Sequence, residues 1–278
     1  MKRRFFCILL LAYSVERAAF SGMPQPMVVY YGQAKDCFGW PYMKNASVIL
    51  MNGTREIARH DISGSMSPGV NFALYVPVDD GRDTNRYVRN ALRTGEVVTI
   101  VVRDYYGQKT IMESNTVPPV TAPGDMILVN ATAGTDADGD GLPDEWENLL
   151  IEWSCGALTS IWDVAGTDDF DADRQSNMDE YRAGTFPFLD YDYFYAERFA
   201  QTSNGRLRIS FLSVAGKVYR VWGAPLTLSG GQFDWRPHPY ALTENGPLTE
   251  GPAEGTGYWF DFFVPLSETN QVFRLTVR

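Results

Sequence analysis

Between Asp136 and Glu180 the chain carries fourteen Asp or Glu residues against a single basic one, Arg174. No other stretch restricts folding so strongly, because carboxylates held a few ångströms apart disfavour any compact arrangement that lacks a counter-charge. The formal net charge is −10, so this segment holds −13 and the remainder +3. The acidity is therefore a local device, and such a chain is a poor partner for the phosphate backbones of nucleic acids.

The spacing of these carboxylates names the counter-charge. DADGDGLPDEWE, Asp136 to Glu147, fills the pattern D-x-D-x-D-G-x5-E at every specified place. Ca2+ is a hard cation that takes about six to eight oxygens at about 2.3 to 2.6 Å. Asp136, Asp138 and Asp140 supply carboxylates at positions 1, 3 and 5. Gly141 permits the sharp turn that lets the carbonyl of Leu142 face the ion, Asp144 ligates directly or through water, and Glu147 closes the site with both oxygens. The residues from Asp144 to Trp153 read as a helix whose apolar face is Trp146, Leu149, Leu150 and Trp153.

The pattern recurs thirty-three residues later as DFDADRQSNMDE, Asp169 to Glu180. Asp169, Asp171 and Asp173 take positions 1, 3 and 5, Gln175 offers its carbonyl at 7, Asn177 stands at 9 and Glu180 at 12. Arg174 occupies the turn position, where a side chain strains the backbone by about 1 kcal/mol and its charge opposes a nearby cation. The second loop is expected to bind more weakly than the first. A short helix follows and stops at Gly184.

DADGDGLPDEWE followed by DFDADRQSNMDEYRAGT resembles the paired loop-helix calcium modules of secreted bacterial proteins, related in motif to EF-hand, dockerin and thrombospondin type 3 repeats. The second loop departs from that pattern at Ala172 and Arg174, where glycines are usual. The resemblance implies two structural Ca2+ ions bound after export.

Export is also written at the start of the chain. Lys2, Arg3 and Arg4 precede an apolar run from Phe5 to Tyr13 and a small-residue stretch ending at Ser21, the order of a signal peptide spanning residues 1–21. That run is too short to span a bilayer, which needs about 20 apolar residues. Cys7 leaves with it. Cys37 and Cys155 remain, two thiols that an oxidising compartment allows to pair or to stay apart.

On either side of the acidic module, residues 134–190, the expected fold is mainly β: two antiparallel β-sandwiches joined by the module. In residues 24–133, short apolar runs such as Val28 to Tyr31, Ala46 to Leu50, Phe72 to Val76, Val97 to Val102 and Met126 to Val129 are divided by Gly, Pro, Asn and Asp. Gly32 to Leu50, with its D-x-x-G-x-P turn, resembles the opening hairpin of carboxypeptidase-regulatory-like, or prealbumin-like, sandwiches, which implies a fold and no activity. Residues 191–278 repeat the β character in Arg206 to Leu212, Val218 to Trp222, Tyr258 to Val264 and Val272 to Val277, as in Ig-like or fibronectin-like sandwiches.

Nothing in the sequence forms a catalytic motif. His60 and His238 stand beside no recognisable nucleophile, and no G-x-S-x-G, H-E-x-x-H, P-loop or Rossmann string occurs. Trp40, Tyr42, Trp222, Trp235 and Trp259 read as β core, with Trp235 the best candidate for an exposed loop. Arg82, Arg86, Arg89 and Arg93 would form a basic stripe on a helix. The expected protein is a secreted or cell-surface, non-catalytic calcium binder for adhesion, scaffolding or display, with an extracellular protein or polysaccharide as partner. The alternatives are a carbohydrate-binding protein using Trp222, Trp235 and Trp259, and a dockerin that plugs into a cohesin.

Overall fold

The computed structural model describes residues 24–226, 232–266 and 271–278, so the expected signal peptide lies outside the described residues. The described chain is mainly β, with its two α-helices in the middle. The first nine strands are β1 (Pro24–Gly32), β2 (Ala34–Lys35), β3 (Ser47–Asn52), β4 (Arg55–Asp61), β5 (Phe72–Asp79), β6 (Thr99–Asp104), β7 (Gly107–Thr110), β8 (Met126–Leu128) and β9 (Ala131–Thr132). They form sheets in the orders β5-β1-β8 and β4-β3-β6-β7, with β2 and β9 paired beside them. Strand alternation turns Val28, Tyr30, Phe72, Leu74 and Val76 of one sheet and Val48, Leu50, Ile100 and Val102 of the other into a shared core.

The expectation of purely antiparallel pairing is corrected here. β1 pairs with β8, and β2 with β9, in parallel. The chain leaving this region zips alongside its own entry, with Val129 N donating to Tyr31 O at 2.8 Å and Ala131 N to Gln33 O at 3.0 Å. Short apolar runs carry no signal of direction, so alternation alone could not reveal this.

Around the D-x-x-G-x-P turn the chain folds back only briefly, Lys35 bridging Pro41 antiparallel with Asp36 N donating to Trp40 O and Tyr42 N to Ala34 O, both at 3.0 Å, and the longer strands beyond it part. β1 belongs to one sheet and β3 to the other. The turn itself forms: Asp36 Oδ1 accepts from Phe38 N and Trp40 N, both at 2.9 Å, and Gly39 N donates to Asp36 O at 3.1 Å.

The arginine stripe is absent too, because residues 82–93 are not helical. Asp79 and Asp83 capture backbone N–H groups of Gly81 and Asn85 in local turns. Arg86 then turns onto Ala91 O and Glu96, and Arg93 onto Asp79 and Asp83 O.

In the C-terminal part, β10 (Arg198–Gln201), β11 (Arg206–Leu212) and β15 (Trp259–Pro265) make one sheet. The other comprises β12 (Val218–Pro225), β13 (Arg236–Pro237), β14 (Ala253–Glu254) and β16 (Gln271–Val277). Ile209, Phe211, Phe262 and Val264 meet Tyr219, Val221 and Tyr240 in a second core. Outward from β11, Arg208 and Ser210 both bind Asp261, each at 2.6 Å.

One lysine joins the three parts. Lys217 is 1% exposed. Its Nζ donates to Tyr181 O at 3.1 Å and Arg182 O at 2.7 Å and lies 5.6 Å from the centre of the Trp40 ring. Those carbonyls end the second helix, where the helix dipole favours a cation and the last C=O groups need donors. Beside it, Gln33 Nε2 donates to Gly216 O at 2.8 Å. Burial, then the like charge of Lys35, pushes the Lys217 ammonium down to about 7.

The unfolded chain therefore binds a proton at Lys217 that the folded chain sheds between about pH 7 and its ordinary value of 10.5. Stability should rise with pH across that window. Denaturant midpoints at both ends of the window should register the rise in the native protein and a smaller one in Lys217→Met. An equal rise in both would remove the assignment to Lys217.

Candidate metal centre

The acidic module folds as two loop-helix units. α1 (Asp144–Trp153) follows the first loop and α2 (Asn177–Ala183) the second, the former with the bounds read from the sequence. Trp146 and Leu150 are buried as expected, whereas Trp153, at the end of that face, is 55% exposed and tilts against Phe186 with ring centres 4.7 Å apart. Trp146 packs edge-on to Tyr181 at 5.5 Å, clamping α1 to α2 within a small core that also holds Leu142 and Val164. Ser176 caps α2, accepting from Asp179 N, and Gly184 ends it in the left-handed region.

The two loops share one backbone course. Gly139 and Gly141 have φ of 79° and 96°, and Ala172 and Arg174 at the equivalent positions have 64° and 81°. The second loop thus follows the glycine-adapted path with residues that resist it. Leading aspartates stitch both turns. Gly141 N donates to Asp136 Oδ2 at 3.1 Å and Arg174 N to Asp169 Oδ2 at 3.0 Å. Leu142 N donates to Asp140 Oδ1 at 2.8 Å and Gln175 N to Asp173 Oδ1 at 2.6 Å.

In each loop the three aspartates converge, Asp136 with Asp138 and Asp140, and Asp169 with Asp171 and Asp173, carboxylate oxygens lying within 4.8 Å of one another. The glutamates at position 12 complete the arrangement. Glu147 and Glu180 are each 0% exposed, and all four of their carboxylate oxygens are buried without a hydrogen-bond partner. Burial, reinforced by the aspartates of the same loop, pushes both carboxyls up to about 8. Asp171 Oδ2, Asp173 Oδ2 and Asn177 Oδ1 are buried and unpartnered as well. Buried oxygens without donors are costly and rare, and a hard divalent cation is a group that satisfies several at once.

Residues at the expected ligand positions also make hydrogen bonds of their own. Asp144 uses Oδ1 to accept from Ala137 N at 2.7 Å and Oδ2 to accept from Thr135 Oγ1 at 2.6 Å, which ties the mouth of the first loop to α1. Asp136 and Asp140 likewise accept through both oxygens, and each oxygen keeps a lone pair, so Asp144 can serve a cation directly or through water. Gln175 points Nε2 at Phe194 O, 3.2 Å away. Asn177 donates through Nδ2 to Ala165 O at 2.9 Å, leaving Oδ1 for a ligand.

Contacts between the loops were not legible in the motif. Asp140 Oδ2 accepts from Gly166 N at 2.6 Å, while Met178 N donates to Gly166 O at 3.0 Å, so one residue braces both loops. The sequence reading also missed Asp190 and Asp192, whose charges help to raise Asp171 and Glu180 respectively. They lie ten or more residues beyond the motif, where no spacing rule reaches. The two histidines singled out from the sequence lie in different parts of the chain. His60 lies on β4 and His238 beyond β13, its Nε2 3.2 Å from Pro265 O. Cys37 is buried and Cys155 exposed, and both thiols are free.

Since folding lifts both glutamates from 4.5 to about 8, the metal-free protein binds more protons folded than unfolded in that interval. The stability these two carboxyls contribute is full below the lower value and is lost as pH rises through the upper one. A cation must displace those protons. Calcium titrations near pH 7, in buffers of different ionisation enthalpy, should register proton release. The double variant Glu147→Gln, Glu180→Gln should not release them. Calcium uptake by the native protein without proton release would contradict the assignment of these carboxyls. Compared with known protein families, curated proteins and solved structures, the chain matches none.

Proposed function

We propose that this is a secreted, non-catalytic calcium-binding protein. Two Ca2+ ions, held by Asp136, Asp138, Asp140, the Leu142 carbonyl and Glu147, and by Asp169, Asp171, Asp173, the Gln175 carbonyl, Asn177 and Glu180, stiffen a spacer between two β-sandwich units. The observation that carries the reading is the pair of fully buried glutamates whose oxygens meet no donor. The two-sandwich reading is supported by terminal cores that each draw side chains from two sheets. No helix among the described residues is long and apolar enough to cross a membrane. A chain of this design suits adhesion, scaffolding or surface display, where geometry between units is the product.

The ions act through repulsion and burial. With calcium bound, the convergent carboxylates gain a counter-charge and the buried oxygens gain ligation, so metal-binding energy becomes folding energy. Extracellular sites of this type bind at about 10⁻⁴ to 10⁻³ M. The second loop binds more weakly. Its ligands depend on a strained backbone at Ala172 and Arg174, and the Arg174 charge opposes a nearby cation.

Calorimetry of the mature protein in calcium and in chelator tests this reading. The melting temperature should rise with calcium, and Asp136→Ala or Glu147→Ala should remove most of the rise. Arg174→Gly should tighten the second site by about fivefold, the equivalent of about 1 kcal/mol. A melting temperature indifferent to calcium and chelator would sink the proposal.

A further inference from the structure

The three parts of the chain enclose a cleft of about 880 Å³ that the calcium loops do not explain. Lys35 lines it from the N-terminal part, Arg182 from the end of α2, and Arg274, Arg278, Trp222 and Trp235 from the C-terminal part. Sheet register accounts for the last group. Antiparallel partners project to the same face, and β12 pairs Trp222 with Arg274 and Arg220 with Thr276. The face opposite to buried Tyr219 and Val221 therefore presents cations and an indole toward the acidic module.

None of Lys35, Arg182, Arg274 and Arg278 forms an ion pair among the described residues, although Arg208 and Arg236 on other strands pair with Asp261 and Asp234. The cations converge: burial weighs most against the charge of Lys35, Glu113 favours it, and Arg182 and Arg278 then both oppose it. The carboxylates facing them across the cleft are Asp140 and Asp179. Asp140 already accepts from Leu142 N and Gly166 N, and the terminal carbonyl oxygen of Arg278 accepts from Val218 N. Trp222 is held by Nε1 donating to Thr276 Oγ1 at 2.9 Å, with Arg220 5.6 Å from its ring centre, and Trp235 tilts on Phe233 at 5.6 Å.

We propose that this cleft binds an acidic oligosaccharide, with the guanidinium groups taking its anionic substituents and the indoles its sugar faces. Guanidinium forks match carboxylate and sulfate oxygens in paired hydrogen bonds, and flat aromatic rings offer apolar area beside a polar edge. A neutral sugar makes no use of the four cations. A nucleic acid must bring its phosphates against the acidic loops. Asp140, Gly141 and Gln175 of the calcium loops border the cleft, but the proposed contacts come from arginines and tryptophans outside those loops, so loss of sugar binding with intact calcium uptake is distinguishable from failure of the calcium reading.

Titration calorimetry of the mature protein in millimolar calcium, with oligogalacturonate, sulfated dextran, neutral cello-oligosaccharide and polyglutamate as probes, tests it. Oligogalacturonate or sulfated dextran should bind, and which of the two does so separates carboxylate from sulfate recognition. Arg274→Gln and Trp235→Ala should each weaken binding about tenfold or more, the scale of one charge-assisted or stacked contact, with unchanged melting temperature and unchanged calcium uptake. In the native protein the ligand should also alter tryptophan fluorescence, a readout that needs no variant. Absence of binding to both acidic sugars overturns the proposal. So does equal binding of the neutral sugar, or binding of polyglutamate as tight as that of the acidic sugars and indifferent to Trp235→Ala.

Discussion

Glu147 and Glu180 sit at the closing positions of their loops, wholly shielded from solvent, with aspartates of the same loop on one side and helix on the other. A carboxylate in that setting has three ways to be tolerated: a hydrogen-bond donor, a proton or a cation. The described structure gives their oxygens no donor. A proton serves below about 8, at the cost of leaving the convergent aspartates unbalanced. A divalent ion answers both problems, because it ligates the glutamate and neutralises its neighbours in one step.

What happens in the loops reaches the rest of the chain through α2. Glu180 belongs to that helix, Tyr181 packs on Trp146 of α1, and the carbonyls of Tyr181 and Arg182 receive the ammonium of Lys217 from the C-terminal part. Trp40 of the N-terminal part covers the same ammonium. Ordering α2 therefore fixes a junction to which all three parts contribute. Gly166, bonded to Asp140 on one side and Met178 on the other, couples the loops before that junction is reached.

The loops and α1 were legible because metal ligation imposes a rigid spacing on residue types, and the strained φ at Arg174 followed from the residue that stands where glycine usually does. Strands with apolar alternation, such as β5 and β11, were legible for a similar reason. β4 was not: only Ile57 among its charged neighbours is fully buried, which gives periodicity little to work on. β10 has every residue exposed and is a strand only because β11 lies beside it. The parallel pairs, the inward-turned arginines and the Lys217 junction arise from contacts between distant segments. No local pattern in the sequence marks Lys217 as buried.

Diffraction from crystals of the mature protein grown in millimolar calcium, recorded for anomalous scattering, bears most directly on the central claim. Two peaks are expected, one among Asp136, Asp138, Asp140 and Glu147 and one among Asp169, Asp171, Asp173 and Glu180, with ligand oxygens at about 2.3 to 2.6 Å. Carboxylates splayed into solvent, or glutamates still buried with no ion beside them, would contradict it.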